Sequence, residues 1–264
     1  MRFEVITIFP DFFRGPFDFG IVRRAKEAGL VEINIHDLRT FTKDKHRTVD
    51  DRPFGGGEGM VLKPEPIFEC IESLCGADTF VRESRESIIL LSAAGQPFSQ
   101  RVAAELSSLD RITIICGRYE GVDERVAQHI ADREISIGDF VLSGGELAAA
   151  LIVDTVTRLV PGALGNEASS KQESFTHGEH RVEGEPNSTC GSGGLLDYPH
   201  YTRPAEFRGM SVPEALVNGN HDEIRRWRRK EALRKTLRNR PELLDEAELT
   251  KEDRKLLDEL RSDR

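Results

Sequence analysis

Residues 112–121 read Ile112-Thr113-Ile114-Ile115-Cys116-Gly117-Arg118-Tyr119-Glu120-Gly121, a short apolar run broken by a glycine turn. The run is continuous rather than alternating, which predicts a strand buried on both faces. The same order occurs on either side of it. Ile88 to Leu91 leads into Ser92-Ala93-Ala94-Gly95-Gln96, and a strand over Ile135 to Leu142 leads into Ser143-Gly144-Gly145-Glu146. Helical patterns at 99–109, 120–130 and 146–159 separate or follow these runs. Strands alternating with helices predict an α/β fold, a mostly parallel sheet with helices on both faces. Sheets of this kind bind ligands outside the carboxyl ends of their strands. Any one glycine turn is a tight connection; three at strand ends point to a ligand pocket.

Outward from this centre, Val5 to Ile8 predicts a strand stopped by Pro10. Ile21, Val22, Ala25 and Ala28 have helical spacing, with Gly29 as the stop. Val31 to Ile35 alternates as a strand does. Arg39 to Gly59 lacks periodicity and ends in Gly55-Gly56-Gly57-Glu58-Gly59, which suits either a plain flexible loop or a surface where ligand meets backbone. Pro64 opens a helix with Ile67, Phe68, Ile71, Leu74 and Cys75 on one face. Pro161 to Gly194 is poor in apolar residues and predicts a linker. After Tyr201 the pattern predicts helices without strands: 213–217, then 221–239 with Asn220 as N-cap, then a helix capped by Thr250 with Asp253 at the capping-box position. In 221–239, Ile224 and Trp227 face away from Leu233 and Leu237, which predicts contacts on two sides or a break.

A chain of 264 residues buries a core without needing disulfides or metal. Cys70, Cys75, Cys116 and Cys190 form no CxxC pair, as expected of reduced thiols in a cytoplasmic protein. The apolar run 147–153 is too short to span a membrane, and residues 1–14 have no signal-peptide character. His177, His180 and Cys190 are irregularly spaced and lack a fourth ligand, so no metal site is expected. Neither a Walker A sequence nor a GxGxxG after a strand is present. The net charge of −9 argues against nucleic acid taken whole. Its distribution does not: residues 223–240 hold nine Lys and Arg against Glu223 and Glu231, and 241–264 hold nine acids against five bases.

Four stretches carry a resemblance: Asp50-Asp51-Arg52-Pro53-Phe54 with the glycines to Met60, residues 116–126, residues 136–146, and 194–204 followed by 221–230. Together they resemble the bacterial tRNA (guanine-N1)-methyltransferases of the SPOUT class, in order, from residue 1 to about 260. The resemblance implies a knotted α/β domain at 1–164, a flexible linker at 165–195 and a helical tRNA-binding domain at 196–264. The strand-end turns would be knot loops holding S-adenosylmethionine. Backbone groups of Gly117, Ile137, Gly138, Phe140 and Leu142 would contact it, and Ser92, Gly95, Tyr119, Glu120, Val141, Gly144 and Gly145 would line its pocket. Asp51, Arg52, Gly57, Asp197, His200, Arg203, Arg225, Arg226 and Arg228 would meet a tRNA with guanosine at positions 36 and 37. The family is cytoplasmic and works as a homodimer with its site at the protomer interface; magnesium is a candidate accompanying ion.

Guanine N1 carries a proton, so methylation there asks for a general base and a cation for the charge that develops toward O6. The resemblance assigns these roles to Glu173 and Arg158. The family has aspartate where Glu173 stands, so the carboxylate sits one methylene further out. Bland readings compete: a solvated linker acid for Glu173, and an ordinary helix-end cation for Arg158. A second departure is eighteen extra residues, 176–193, between Phe175 and Gly194. The readings are therefore methylation of tRNA guanosine 37, methylation at another RNA position by the same fold, or a silent RNA-binding protein. Methyl transfer from labelled S-adenosylmethionine to unmodified tRNA separates them.

Overall fold

β1 (Arg2–Thr7), β5 (Glu86–Pro97) and β6 (Arg111–Cys116) are buried along nearly their whole apolar runs. In the computed structural model they form, with β2 (Glu32–Asp37) and β7 (Arg133–Ser136), a parallel sheet in the order β2-β1-β6-β5-β7. The structure describes residues 1–75, 85–165, 173–176, 192–217 and 219–262. They divide into two units, Met1–Gly165 and Asn166–Arg264.

Side chains alternate across a strand, so each apolar run supplies two faces. Phe3, Val5, Ile89, Leu91, Ile112 and Ile114 pack beneath α1 (Gly20–Glu27), α3 (Gln100–Ser107) and α5 (Glu146–Thr157). Ile6, Ile88, Leu90 and Ile115 pack beneath α2 (Pro64–Cys75) and α4 (Glu124–His129). Each such buried side chain contributes about 1.5–3 kcal/mol by leaving water. Caps set helix starts: the Ser99 hydroxyl accepts from the Val102 N–H, and the Asp123 carboxylate from the Arg125 N–H.

Three expected elements of this unit change. The strand expected over 135–142 ends at Ser136, because the Phe140 N–H donates to the Gly138 carbonyl at 2.9 Å and closes a three-residue turn. The helix expected over 120–130 starts only at Glu124. Residues 120–123 bond instead to the segment before α2: Glu120 N–H to Met60 carbonyl, Leu62 N–H to Gly121 carbonyl, and Asp123 N–H to Leu62 carbonyl, each at 3.0 Å. The expected loop at 39–59 holds a 3-10 turn at Leu38–Phe41 and β3 (Asp50–Asp51), paired antiparallel with β4 (Val61–Leu62).

In the second unit, α6 (Glu214–Val217), α7 (His221–Asn239), α8 (Leu243–Glu246) and α9 (Lys251–Ser262) are joined by a hairpin of β8 (Glu206–Phe207) and β9 (Met210–Ser211). The hairpin corrects the expectation of helices alone. Its turn residues, Arg208 and Gly209, both have positive φ, the geometry whose twist suits a hairpin. α7 is unbroken. The Asn220 side chain accepts from the Asp222 and Glu223 N–H groups at its start. Leu233 packs with Leu195, Leu244, Leu256, Leu257 and Leu260 on one side; Trp227 meets Tyr201 on another, ring centres 6.1 Å apart.

Arg229 belongs to this core rather than to a free basic face. Its Nε and Nη2 donate to the two carboxylate oxygens of Asp253 at 2.6 and 2.9 Å, and its Nη1 to the Ser192 carbonyl at 2.9 Å. Asp253 also accepts from the Thr250 N–H and hydroxyl, and returns its own N–H to that hydroxyl, which completes the capping box. Burial pushes the Asp253 carboxyl up, but Arg229 and Thr250 outweigh it and hold it below its ordinary value of 3.8.

The extra segment lies, at 177–191, outside the described residues. Its two ends meet: the Gly194 N–H donates to the Thr176 carbonyl at 3.1 Å, and the Ser192 hydroxyl to the same oxygen at 3.3 Å. Deleting 178–190 across this closed base is expected to leave the second unit folded, with Leu233 and Leu257 amides as protected from exchange as in the parent. A carboxylate depressed by folding stabilises above its unfolded value, and that stability is lost as pH falls through the folded value. The melting temperature of the second unit should therefore fall below about pH 4. Asp253→Asn should melt lower at neutral pH and lose that part of the acid dependence.

Candidate functional site

The carboxyl ends of β5, β6 and β7 adjoin, and the three glycine turns meet there. After β6, the Gly117 carbonyl accepts the Gly145 N–H at 2.8 Å, and Arg118 bridges Gly144. A β-carbon on Gly145 would fall 2.9 Å from the Cys116 Cα, so no other residue lets the backbones cross this closely. The turn of Ser92 to Gly95 is an excursion within β5: Leu91 and Gln96 both pair with Ile135 of β7. A β-carbon on Gly95 would lie 2.5 Å from the Ile135 nitrogen. Ser92 braces the excursion by accepting the Ala94 N–H at 3.1 Å.

Between β7 and α5, Gly138 has φ +147 and its N–H donates to the Ser136 hydroxyl. Ile137 and Leu142 pack on the core, while Phe140 and Val141 stand exposed. Tyr119 has positive φ and is exposed beside Glu120. A β-carbon on Gly59 would strike the Glu120 side chain at 2.5 Å, so the glycine loop carrying Gly57 is stitched to the loop after β6. Asp51 and Arg52 lie on and just after β3. The first unit thus gathers Ser92, Gly95, Gly117, Tyr119, Glu120, Ile137, Gly138, Phe140, Val141, Leu142, Gly144 and Gly145 at one end of its sheet.

Sequence reasoning missed what lies under the crossing. The Glu146 carboxylate is buried; one oxygen accepts the Thr7 hydroxyl at 2.8 Å, and the other pairs with Arg118 Nη1 at 3.2 Å. The Arg118 guanidinium lies 4.6 Å over the Phe9 ring. An acid directly after two glycines at a helix start was the available signal. Burial, then the charge of Glu146, pushes the Cys116 thiol well above its ordinary range.

The two residues assigned to proton transfer fall in different units. Arg158 caps the end of α5. In the second unit, the Phe175 N–H donates to the Leu195 carbonyl and the Asp197 N–H to the Ser174 hydroxyl, which holds 173–176 alongside 192–197. Asp197 pairs with His200 Nε2 at 2.9 Å, and the His200 ring lies against Tyr198, tilted by 43° with ring centres 4.6 Å apart. The Arg228 guanidinium covers the same tyrosine at 4.9 Å. Arg225 pairs with Asp222, and Arg226 with Glu259. Arg203 lines a groove with Tyr198, His200 and Arg228. Among the described residues, no group of three His, Cys, Asp or Glu side chains is placed to hold a metal, and no helix is long and apolar enough to cross a membrane.

A parallel α/β unit with glycine turns gathered at its strand ends, followed by a helical unit bearing a basic helix, suits an enzyme with two substrates, one small and one polyanionic. The profile of the tRNA (Guanine-1)-methyltransferase family matches residues 1–246. A tRNA (guanine-N(1)-)-methyltransferase of Koribacter versatilis is 64% identical over 264 residues, covering 99% of each chain. Proteins of the same name from Dictyoglomus turgidum (52% over 263 residues, 100% of this chain and 98% of the relative) and Dehalococcoides mccartyi (50% over 260 residues, 98% and 97%) are also similar. The chain belongs to the tRNA (guanine-1)-methyltransferase family.

Gly95→Ala is expected to lower stability by about 1–3 kcal/mol, because the added methyl must push the Ile135 backbone aside. Gly165, which has open space around it, is the control: Gly165→Ala should melt within a degree or so of the parent.

Proposed function

We propose that the chain transfers a methyl group from S-adenosylmethionine to N1 of guanosine 37 of a tRNA with guanosine at position 36, at a site shared by two protomers. Membership of the family makes it a tRNA guanine-N1 methyltransferase, and a methyltransferase of this family implies S-adenosylmethionine as donor. The observation that carries the finer reading is the crossing of Gly144-Gly145 over Gly117-Arg118, with Gly95 pressed on Ile135. Backbones this close support reading the three turns as loops of a trefoil knot. Residues without β-carbons let a bent ligand approach the main chain, so Gly117, Gly138, Gly144 and Gly145 fit S-adenosylmethionine, with Ser92, Tyr119, Glu120 and Phe140 around it. When bound, it supplies a methyl group on a sulfonium, a leaving group that needs no acid.

The remaining work falls to side chains. The Glu173 carboxylate takes the proton from guanine N1, and Arg158 holds the charge that appears toward O6. Their meeting at a site shared by two protomers is part of the proposal. Exposed Phe140, Val141, Leu147 and Leu151 in the first unit support such an interface. We assign cofactor binding to 1–164, a linker to 165–195, and tRNA binding to 196–264 through Asp197, His200, Arg203, Arg225, Arg226 and Arg228, aided by Asp51, Arg52 and Gly57. Magnesium would come with the tRNA phosphates rather than with a protein cluster. The work belongs in the cytoplasm, where tRNA is.

Glu173→Gln should slow single-turnover methyl transfer by about 10²–10⁴ while cofactor and tRNA affinities hold. Glu173→Asp should fall between parent and Gln, since a base remains. Arg158→Ala should also slow transfer, and the double variant should cost less than the product of the two if they act as a unit. Full activity in the glutamine variant would remove Glu173 from the role and turn attention to Asp197.

A further inference from the structure

Two four-residue turns of the second unit clasp each other at Glu173. In one, the Thr176 N–H donates to the Glu173 carbonyl at 3.3 Å; in the other, the Leu195 N–H donates to the Ser192 carbonyl at 3.4 Å. Two further bonds join them, from the Phe175 N–H to the Leu195 carbonyl at 3.0 Å and from the Gly194 N–H to the Thr176 carbonyl at 3.1 Å. The second turn is anchored to α7: the Leu196 N–H donates to the Thr236 hydroxyl at 3.0 Å, and Arg229 Nη1 to the Ser192 carbonyl at 2.9 Å. The turn that carries Glu173 thus stands on a fixed platform.

Both turns take positive φ at their centres, with different residues. The 192–195 turn uses Gly193 at φ +66 and Gly194 at φ +83, residues with no β-carbon to clash. The 173–176 turn puts Phe175 there, at φ +67. A bulky residue is a true outlier in this region, and turns give such places to glycine or asparagine. Strain of this kind persists only where its surroundings over-determine it, and it gathers at functional sites. The Phe175 ring is exposed, so core packing does not account for it. The guanidinium of Arg240, the residue that closes α7, lies 5.8 Å over the ring and is itself paired with Glu242.

We propose that Phe175 is a positioning residue for methyl transfer: its ring, held by Arg240, keeps the 173–176 turn in the conformation from which Glu173 takes the proton of guanine N1. The proposal rests on the reading of Glu173 as the base and deepens it. A turn free to flex would scatter the carboxylate, and a reacting group displaced by about 1 Å loses about 100-fold in rate.

Phe175→Gly gives the turn the residue that its φ favours and removes only the ring, so it separates positioning from folding. The full chain is assayed by single-turnover transfer to unmodified tRNA transcript, with enzyme and cofactor saturating. Phe175→Gly should slow the step by about 10- to 100-fold, while cofactor and tRNA affinities hold. Its melting temperature should stay within about two degrees of the parent's. Phe175→Asn, which also tolerates positive φ, should behave alike without the added chain entropy of glycine. Phe175→Tyr keeps the ring and should restore the parent rate. Arg240→Ala should slow the step by a smaller factor. With Glu173→Gln already in place, Phe175→Gly should add less than about threefold, because the group it positions is gone. Losses that multiply would mean that the ring acts elsewhere. A parent rate in Phe175→Gly would leave the ring no role, and a rate lost only in step with the melting temperature would make it a packing residue; each overturns the proposal. A fully active Glu173→Gln removes the base reading and the positioning role with it. A slow Glu173→Gln beside a fast Phe175→Gly removes the positioning role alone.

Discussion

A carboxylate taken out of water must be paired or it costs several kcal/mol. Glu146, at the start of α5, is such a carboxylate, and its two partners come from two other places: Thr7 at the end of β1 and Arg118 after β6. None of these can shift without exposing an unmet charge. The Glu146 contacts therefore fix where β1 ends, where the loop after β6 runs and where α5 begins. The hydrogen bond from Gly145 to Gly117 follows from that placement. The helix N-terminus adds favourable dipole to the same acid. The glycines allow the crossing, and the buried ion pair holds it.

The second unit solves a charge problem. α7 carries most of the basic residues in the 223–240 stretch, and a helix so charged repels itself. Two acids of the last helix answer: Asp253 holds Arg229, and Glu259 holds Arg226 and Lys230. Arg228, left outside this neutralisation, lines the groove. An acidic protein can in this way keep a local cationic surface.

Legibility in the sequence followed the range of the interactions. Continuous runs such as Ile112 to Cys116 carry their own period, so the parallel sheet and the helices over it were readable. Asn220 and Thr250 act within three residues, and their caps were readable too. The strand expected to reach Leu142 stopped at Ser136 because a single backbone bond, Phe140 to Gly138, closed a turn that composition does not announce. The helix expected from Glu120 lost its first turn to pairing with residues 60–62, a contact across sixty positions. The Thr7–Glu146 bond spans 139 positions, and no local pattern encodes it. The glycine turns at strand ends were legible as such, and the roles proposed for Glu173 and Arg158 came from resemblance.

Cys116 lies directly beneath the backbone crossing. Oxidants attack thiolates, not thiols, and here burial and the Glu146 charge both disfavour the thiolate. The sulfur beneath the crossing is thus chemically quiet. A cell under peroxide stress can lose many exposed thiols while this one keeps its proton, so the crossing above it is shielded from the redox weather outside.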